Sequence, residues 1–262
     1  ARMFASFWHE VSVFVADSNL EESLTIDELV KIRVVRFRPG QGEAYRYLGY
    51  IAALSFQFSE IVEEFIKREG VPNILECQDY LGIAYFLLQK KKVLWDRLKD
   101  LPIVLTLHTP KFLCDIYDQA PVHRFPDFWI GEMERFCIRA AEAVLSPSQY
   151  LLDELSKHIK FAELRTHVIP NPYETCSDKS LRKWREAERD DLIFLGRLQY
   201  LKGIIHLFTY FRELWDNGIK VRLKLIGGDT FFHPRGQMMS TYLQKKYGRY
   251  FEEGLVTWEG KK

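Results

Sequence analysis

Phe194-Leu-Gly-Arg-Leu-Gln-Tyr-Leu-Lys-Gly203 is the stretch on which the fold turns. It opens in the apolar run Asp191 to Leu195 and reverses at Gly196. It then leads into Gly203 to Trp215, where Ile204, Leu207, Phe208, Phe211, Leu214 and Trp215 return at helical spacing before Asn217-Gly218 stops the helix. A second apolar run, Val221 to Ile226, comes next. Strand, helix and strand in that order make a βαβ unit, and such units build parallel sheets covered by helices. Ligands of open sheets gather at the carboxyl ends of the strands, where Gly196 and Arg197 fall. With the chain reversing there, Arg197 and Lys202 converge beside a helix N-terminus, and two cations with a helix dipole form an anion site. The ordinary alternative is two surface cations on a loop.

Downstream, Leu225-Ile-Gly-Gly-Asp229 ends the second strand, and beyond it lie a helical segment near Met238 to Tyr247 and a last strand, Leu255 to Trp258. Gly227 and Gly228 would let the backbone approach a ligand closely, with Asp229 beside it, although a plain tight turn explains them as well. Upstream, apolar β-branched runs alternate with helical segments: Glu10 to Ala16, Lys31 to Phe37, Asn73 to Gln78, Ile103 to His108, Ala143 to Ser146 and Thr166 to Ile169. One long helix is expected over Tyr45 to Glu69, burying Ile51, Leu54, Phe58, Ile61, Val62 and Phe65 and stopping at Gly70. The run Lys111 to Trp129 shows little helical period and reads as an aromatic loop. It would shape an acceptor pocket, dip into a membrane surface, or be an ordinary packed connection.

At roughly 150 residues per domain, 262 residues give one large domain or two modest ones. The charged, apolar-poor stretch after Asn171-Pro172 favours two: residues 1–172, a linker over 173–190, and 191–262. The first would lack its opening strand and the second would be incomplete, so the chain reads as a piece of a longer protein. Lys and Arg total 37 against 36 Asp and Glu, a balance that argues against a generic nucleic-acid binder. The four cysteines, Cys77, Cys114, Cys137 and Cys176, contain no Cys-x-x-Cys pair, so neither zinc nor a disulfide framework is expected and a reducing cytoplasm is the simplest setting. The longest apolar stretches, such as Leu81 to Leu88, fall well short of the roughly 20 residues that span a bilayer.

His108, in Val104-Leu-Thr-Leu-His-Thr-Pro110, closes an apolar strand on the ligand side; a packed core histidine and a functional one both fit. Gly40-Gln-Gly42 precedes a helix, but Tyr45 stands where a dinucleotide fingerprint needs its third glycine, so a turn is expected. Lys90-Lys91-Lys92, near Trp95, would suit anionic lipid, although a solvated helix face is the commoner outcome.

Taken in order, these segments resemble the retaining glycosyltransferases of family 4, whose GT-B architecture pairs two Rossmann-like domains. The resemblance runs through Trp8-His-Glu-Val11, Leu105 to Pro110, Glu134 to Ser148, Val168-Ile-Pro-Asn-Pro172, Phe194 to Gly203 and Leu225 to Asp229. It implies that Arg197 and Lys202 bind the diphosphate of a nucleotide-sugar, with Gly196 beneath the phosphates and Gly227, Gly228 and Asp229 on the donor side. It implies that His108 lies near the transferred sugar, orienting a hydroxyl or the developing charge rather than attacking. Asp79 and Tyr117 are the acceptor-side candidates. Two family elements, a glycine-rich loop before Ala1 and a glutamate pair after Lys262, fall outside the sequence. Glu134 and Glu142 share the pair's spacing but sit on the amino-terminal half and are read as coincidence.

The resemblance further implies a bacterial, cytoplasmic enzyme of carbohydrate biosynthesis, at most peripheral on the inner face of a membrane. Such an enzyme would use no metal and no cofactor beyond its nucleotide-sugar substrate, and would transfer to a glycan, lipid-linked or small-molecule hydroxyl. The rival is a non-catalytic nucleotide-sugar-binding protein of the same fold. A nicotinamide-dependent oxidoreductase would need a fingerprint that the sequence does not carry.

Overall fold

The computed structural model describes residues 1–29, 31–93, 97–160, 165–172 and 191–261. The expected linker, 173–190, and Cys176 within it lie outside the described residues. The chain divides into two compact units: Ala1–Pro110 with Trp129–Ile169, and Lys111–Phe128 with Pro170–Lys262. No helix among the described residues is long and apolar enough to cross a membrane.

The first unit begins with α1 (Arg2–Ser6) and a three-stranded sheet of β1 (Val11–Ala16), β2 (Leu24–Leu29) and β3 (Ile32–Phe37), in the order β1-β3-β2. β3 pairs parallel with β1 and antiparallel with β2. Its Ile32, Val34, Val35 and Phe37 are all buried, as a central strand requires. β2 is an element that the sequence pattern does not predict. Its Asp27 and Glu28 interrupt the apolar pattern, but on an edge strand they pair with Arg36 (2.9 Å) and Arg33 (3.3 Å) of its neighbour.

The helix expected over Tyr45 to Glu69 is two, α2 (Ala44–Leu48) and α3 (Tyr50–Glu69), separated at Gly49 with φ 73° and ψ 166°, a conformation that favours glycine. α3 buries Ala52, Ala53, Ser55, Ser59, Val62 and Ile66; of the residues expected there Val62 is buried, while Ile51, Leu54, Phe58, Ile61 and Phe65 are only half-buried. Small side chains bring the helix close to its neighbours, and the Ser55 hydroxyl donates to Ile83 O at 2.9 Å. Phe58 and Phe65 flank that face and meet Phe14 of β1 edge-on.

A second sheet, wholly parallel, runs β4 (Leu75–Gln78), β5 (Ile103–Thr106), β6 (Ala143–Ser146) and β7 (Arg165–Val168) in sequence order. Ile103, Val104 and Leu105 are buried, which places β5 at the centre. α4 (Tyr85–Lys92), α6 (Asp127–Ala140) and α7 (Gln149–Ser156) supply Leu87, Leu88, Met133, Cys137, Ile138, Leu151 and Leu155 to the core. Burial pushes the Cys77 thiol up to about 12 and the Cys137 thiol well above its ordinary value, so both stay protonated as small apolar groups.

In the second unit, the stretch expected as a loop opens with α5 (Lys111–Tyr117) and runs into α6 at Asp127, leaving only residues 118–126 as loop. Phe112 and Leu113 are buried, and Lys111 forms ion pairs with Asp115, one helical turn on, and with Asp127 at 2.9 Å. Burial alone would lower the Lys111 pKa; the two carboxylates outweigh it and hold the ammonium above its ordinary value.

From residue 191 on, β8 (Asp191–Leu195), α8 (Ile204–Asp216), β9 (Arg222–Ile226), α9 (Met239–Glu252) and β12 (Val256–Trp258) give a parallel sheet of order β12-β9-β8. A short hairpin, β10 (Phe231–Phe232) and β11 (Gln237–Met238), precedes α9. The core is aromatic: Phe208, Phe211, Trp215, Tyr247 and Tyr250 pack together beneath Leu223 and Leu225.

Candidate active site

The carboxyl ends of β8 and β9 are fastened to each other through the backbone. Gly196 N–H donates to Ile226 O at 2.9 Å and Leu198 N–H to Gly228 O at 2.8 Å, while the Thr230 hydroxyl donates to Leu198 O at 2.5 Å. A Cβ on Gly227 would stand 1.9 Å from Gly196 O, so only glycine fits there. A Cβ on Gly228 would meet nothing, and on Gly196 only the Phe194 ring at 3.7 Å. The steric need for glycine therefore falls on Gly227.

Arg197, between these anchored residues, is exposed and makes no ion pair among the described residues. Lys202 ends a three-residue 3-10 turn, Tyr200–Lys202, and Gly203 in the left-handed region (φ 75°) starts α8 behind it. It too is exposed and unpaired among the described residues. Both cations thus stand on one short connection between a strand end and a helix N-terminus, where the unsatisfied N–H groups and the helix dipole favour negative charge.

Asp229 serves its own unit. Its Oδ1 accepts Thr230 N–H at 2.9 Å and Ser240 N–H at 3.0 Å, and its Oδ2 accepts the Ser240 hydroxyl at 2.5 Å. The carboxylate thereby caps the first turn of α9.

His108 lies in the first unit. The ladder continues one residue past β5, with Leu107 N–H donating to Leu145 O at 2.8 Å, so His108 is the first residue off the sheet and is exposed. Asp79, fully buried after β4, holds this turn. Its Oδ1 accepts His108 N–H at 2.9 Å, its Oδ2 accepts Thr109 N–H at 3.2 Å, and its own N–H donates to Thr106 O at 3.1 Å. Thr109 has φ 106°, a costly conformation for a β-branched residue, and the carboxylate helps fix it. Burial raises the Asp79 pKa, opposed by the two backbone donors. The carboxylate faces the loop backbone, which makes Asp79 a support for His108. Tyr117 is half-buried at the end of α5.

The structural roles of the remaining motifs are equally definite. Glu134 is buried and accepts Leu81 N–H at 2.7 Å; Glu142 accepts Ile103 N–H at 2.8 Å and pairs with Lys91 at 2.7 Å. Lys90 pairs with Glu60 and, at 2.7 Å, with Glu63, and this hydrogen bond lowers the Glu63 pKa against burial. Two of the three lysines are thus bound to the protein itself. Gly40 and Gly42 have φ of 87° and 94°, a turn with open space about it. Among the described residues, no three or more His, Cys, Asp or Glu are grouped to hold a metal ion.

Sequence reasoning missed Asp118. Its Oδ1 accepts Leu201 N–H at 2.9 Å and its Oδ2 accepts the Gln199 side-chain amide, tying α5 to the turn that carries Lys202. The Lys111–Asp115 spacing is a local signal for α5, but nothing local points to a partner 83 positions away.

Among known families, the sequence model described as Glycosyltransferase Family 4 matches residues 1–175. No curated protein matches. Solved structures do. Sucrose-phosphate synthase from Thermosynechococcus elongatus is 17% identical with a TM-score of 0.62, covering 99% of this chain, which spans 62% of that one. The catalytic domain of starch synthase IV from Arabidopsis thaliana, bound to ADP and acarbose, is 14% identical with a TM-score of 0.61, covering 100% of this chain and 69% of its own. A UDP-forming α,α-trehalose-phosphate synthase from Burkholderia xenovorans, in complex with glucose-6-phosphate, is 12% identical with a TM-score of 0.60, covering 100% of this chain and 70% of its own. Identities this low speak to the fold, and the shared fold is the GT-B α/β arrangement expected from the sequence.

Proposed function

The chain belongs to glycosyltransferase family 4, and on that premise we propose that it acts in transfer of a sugar from a nucleoside-diphosphate donor to a hydroxyl acceptor, with retention at the anomeric carbon and without a metal or cofactor. As the anomeric carbon becomes cationic, its bond to the diphosphate oxygen breaks and the acceptor oxygen forms the new one on the same face. Negative charge grows on the departing phosphate, and the acceptor's proton passes to an oxygen of that leaving phosphate as the new bond forms. Arg197, Lys202 and the N-terminus of α8 supply fixed positive potential where that charge develops. His108 orients a sugar hydroxyl or the developing charge.

One observation carries this reading: two exposed cations, unpaired among the described residues, flank a strand end and a helix start. Exposed cations beside a helix N-terminus favour an anion there. The donor class is supported by the similar folds, one of them bound to ADP and another UDP-forming. Acceptors of sugar or sugar-phosphate character agree with glucose-6-phosphate in the latter. The sparse cysteines favour a cytoplasmic setting, with peripheral membrane contact confined to acceptor delivery.

The test is kinetic. Arg197→Ala and Lys202→Ala should each lower turnover with a nucleotide-sugar by roughly 10²- to 10³-fold. Unchanged donor kinetics in both would overturn the assignment. Tight UDP or ADP binding without turnover would favour the non-catalytic rival.

A further inference from the structure

The turn that bears Lys202 does not hold itself. It comprises three residues, Tyr200–Lys202, and Gln199 before it offers no side-chain cap. Its internal bonds are Lys202 N–H to Gln199 O at 3.0 Å and Gly203 N–H to Tyr200 O at 2.8 Å. So short a 3-10 segment is marginal in water, because each hydrogen bond fixes several dihedral angles. Asp118 supplies what is missing: its carboxylate takes Leu201 N–H at 2.9 Å and the amide of Gln199, itself only 8% exposed.

Asp118 is fixed in turn. Its N–H donates to Cys114 O at 2.8 Å, and Gln119 N–H and Ala120 N–H donate back to Ile116 O and Asp115 O at 3.1 and 2.8 Å. These bonds close the carboxyl end of α5, whose first turn is anchored by Lys111 to Asp115 and Asp127.

We infer that Asp118 is a positioning residue for the donor site, holding the Lys202 ammonium in place by capping the turn on which it stands. The inference rests on the reading of Arg197 and Lys202 as the diphosphate site. Positioning and simple electrostatics predict opposite signs. Asp118 is an anion one residue's length from the Lys202 backbone, so by charge alone its removal would strengthen binding of a diphosphate. By positioning, its removal weakens it.

The experiment is a double-mutant cycle on diphosphate binding by the protein, followed by isothermal titration with UDP and with ADP. Asp118→Ala should weaken the better-bound nucleotide about fivefold, the scale of a lost cap. Asp118→Asn, which keeps an acceptor oxygen for Leu201 N–H, should recover most of that loss. In a Lys202→Ala background, Asp118→Ala should have no further effect, an outcome that a general loss of structure would not give. A thermal melt identifies a variant that fails to fold, and Asp118→Asn then carries the cycle alone, with its residual loss vanishing in the Lys202→Ala background. If Lys202→Ala weakens binding while Asp118→Ala leaves it unchanged or tightens it, the inference falls and the donor site stands. If Lys202→Ala has no effect, or neither nucleotide binds, the donor-site reading falls and the inference with it.

Discussion

Asp79 accepts the backbone N–H of His108 at 2.9 Å, so the exposed histidine is held by a carboxylate buried just past the end of β4. Replacing Asp79 by Ala leaves the N–H groups of His108 and Thr109 without that acceptor. We expect a loss of about 1 to 3 kcal/mol in urea unfolding, accompanied by a fall in turnover. Wild-type stability in Asp79→Ala would show that the carboxylate does not hold the turn.

The same residue gives a pH dependence. Burial raises its folded-state pKa above the usual carboxylate value of 3.8, so the folded chain binds the extra proton. Its contribution to stability is therefore fully present below the usual carboxylate range and declines as pH rises from there through the raised folded value. The stability difference between wild type and Asp79→Ala should shrink across that window. A flat or opposite trend in denaturant midpoints would contradict the assignment.

Gly227 and Gly228 are adjacent in sequence but not equivalent. Gly227→Ala would drive a Cβ into Gly196 O, 1.9 Å away, and must displace one strand end from the other. A loss of about 3 kcal/mol or more is expected, with weakened nucleotide binding. Gly228→Ala meets open space and should stay within about 1 kcal/mol of wild type in the same melts.

Lys91 tests the membrane reading of the lysine run. It is 9% exposed, donates to Leu101 O and pairs with Glu142. Lys91→Ala should cost about 1 to 3 kcal/mol, less than a fully orphaned buried charge because Glu142 is 36% exposed. Sedimentation with anionic vesicles should not change. Loss of vesicle binding without loss of stability would restore the lipid role.

The parallel sheets were legible because buried strands and amphipathic helices write themselves as apolar runs and periodicities, as in Ile103 to Leu105 and in α8. The edge strand β2 was not, since its charges serve cross-strand pairs that resemble loop polarity. The buried face of α3 was legible only at Val62, because close approach selects Ala and Ser, which a search for large apolar residues passes over. Arg197 and His108 stand just past strand ends and Lys202 just before a helix start, places that the run of strand and helix signals already marks. The supports could not: Asp79 and Asp118 act on backbone N–H groups 29 and 83 positions away, and a backbone donor leaves no mark on the sequence.

The backbone fastening of Leu198 bears on the thermodynamics of anion capture. Arg197 stands between two residues whose amides are already bound to the end of β9 and the loop after it, so the diphosphate proposed for this site would have only the guanidinium rotamers left to freeze. Lys202 stands on a turn whose order depends on Asp118. Heating should therefore loosen the lysine half of the cradle before the arginine half, and a phosphate group entering warm protein should meet the arginine first.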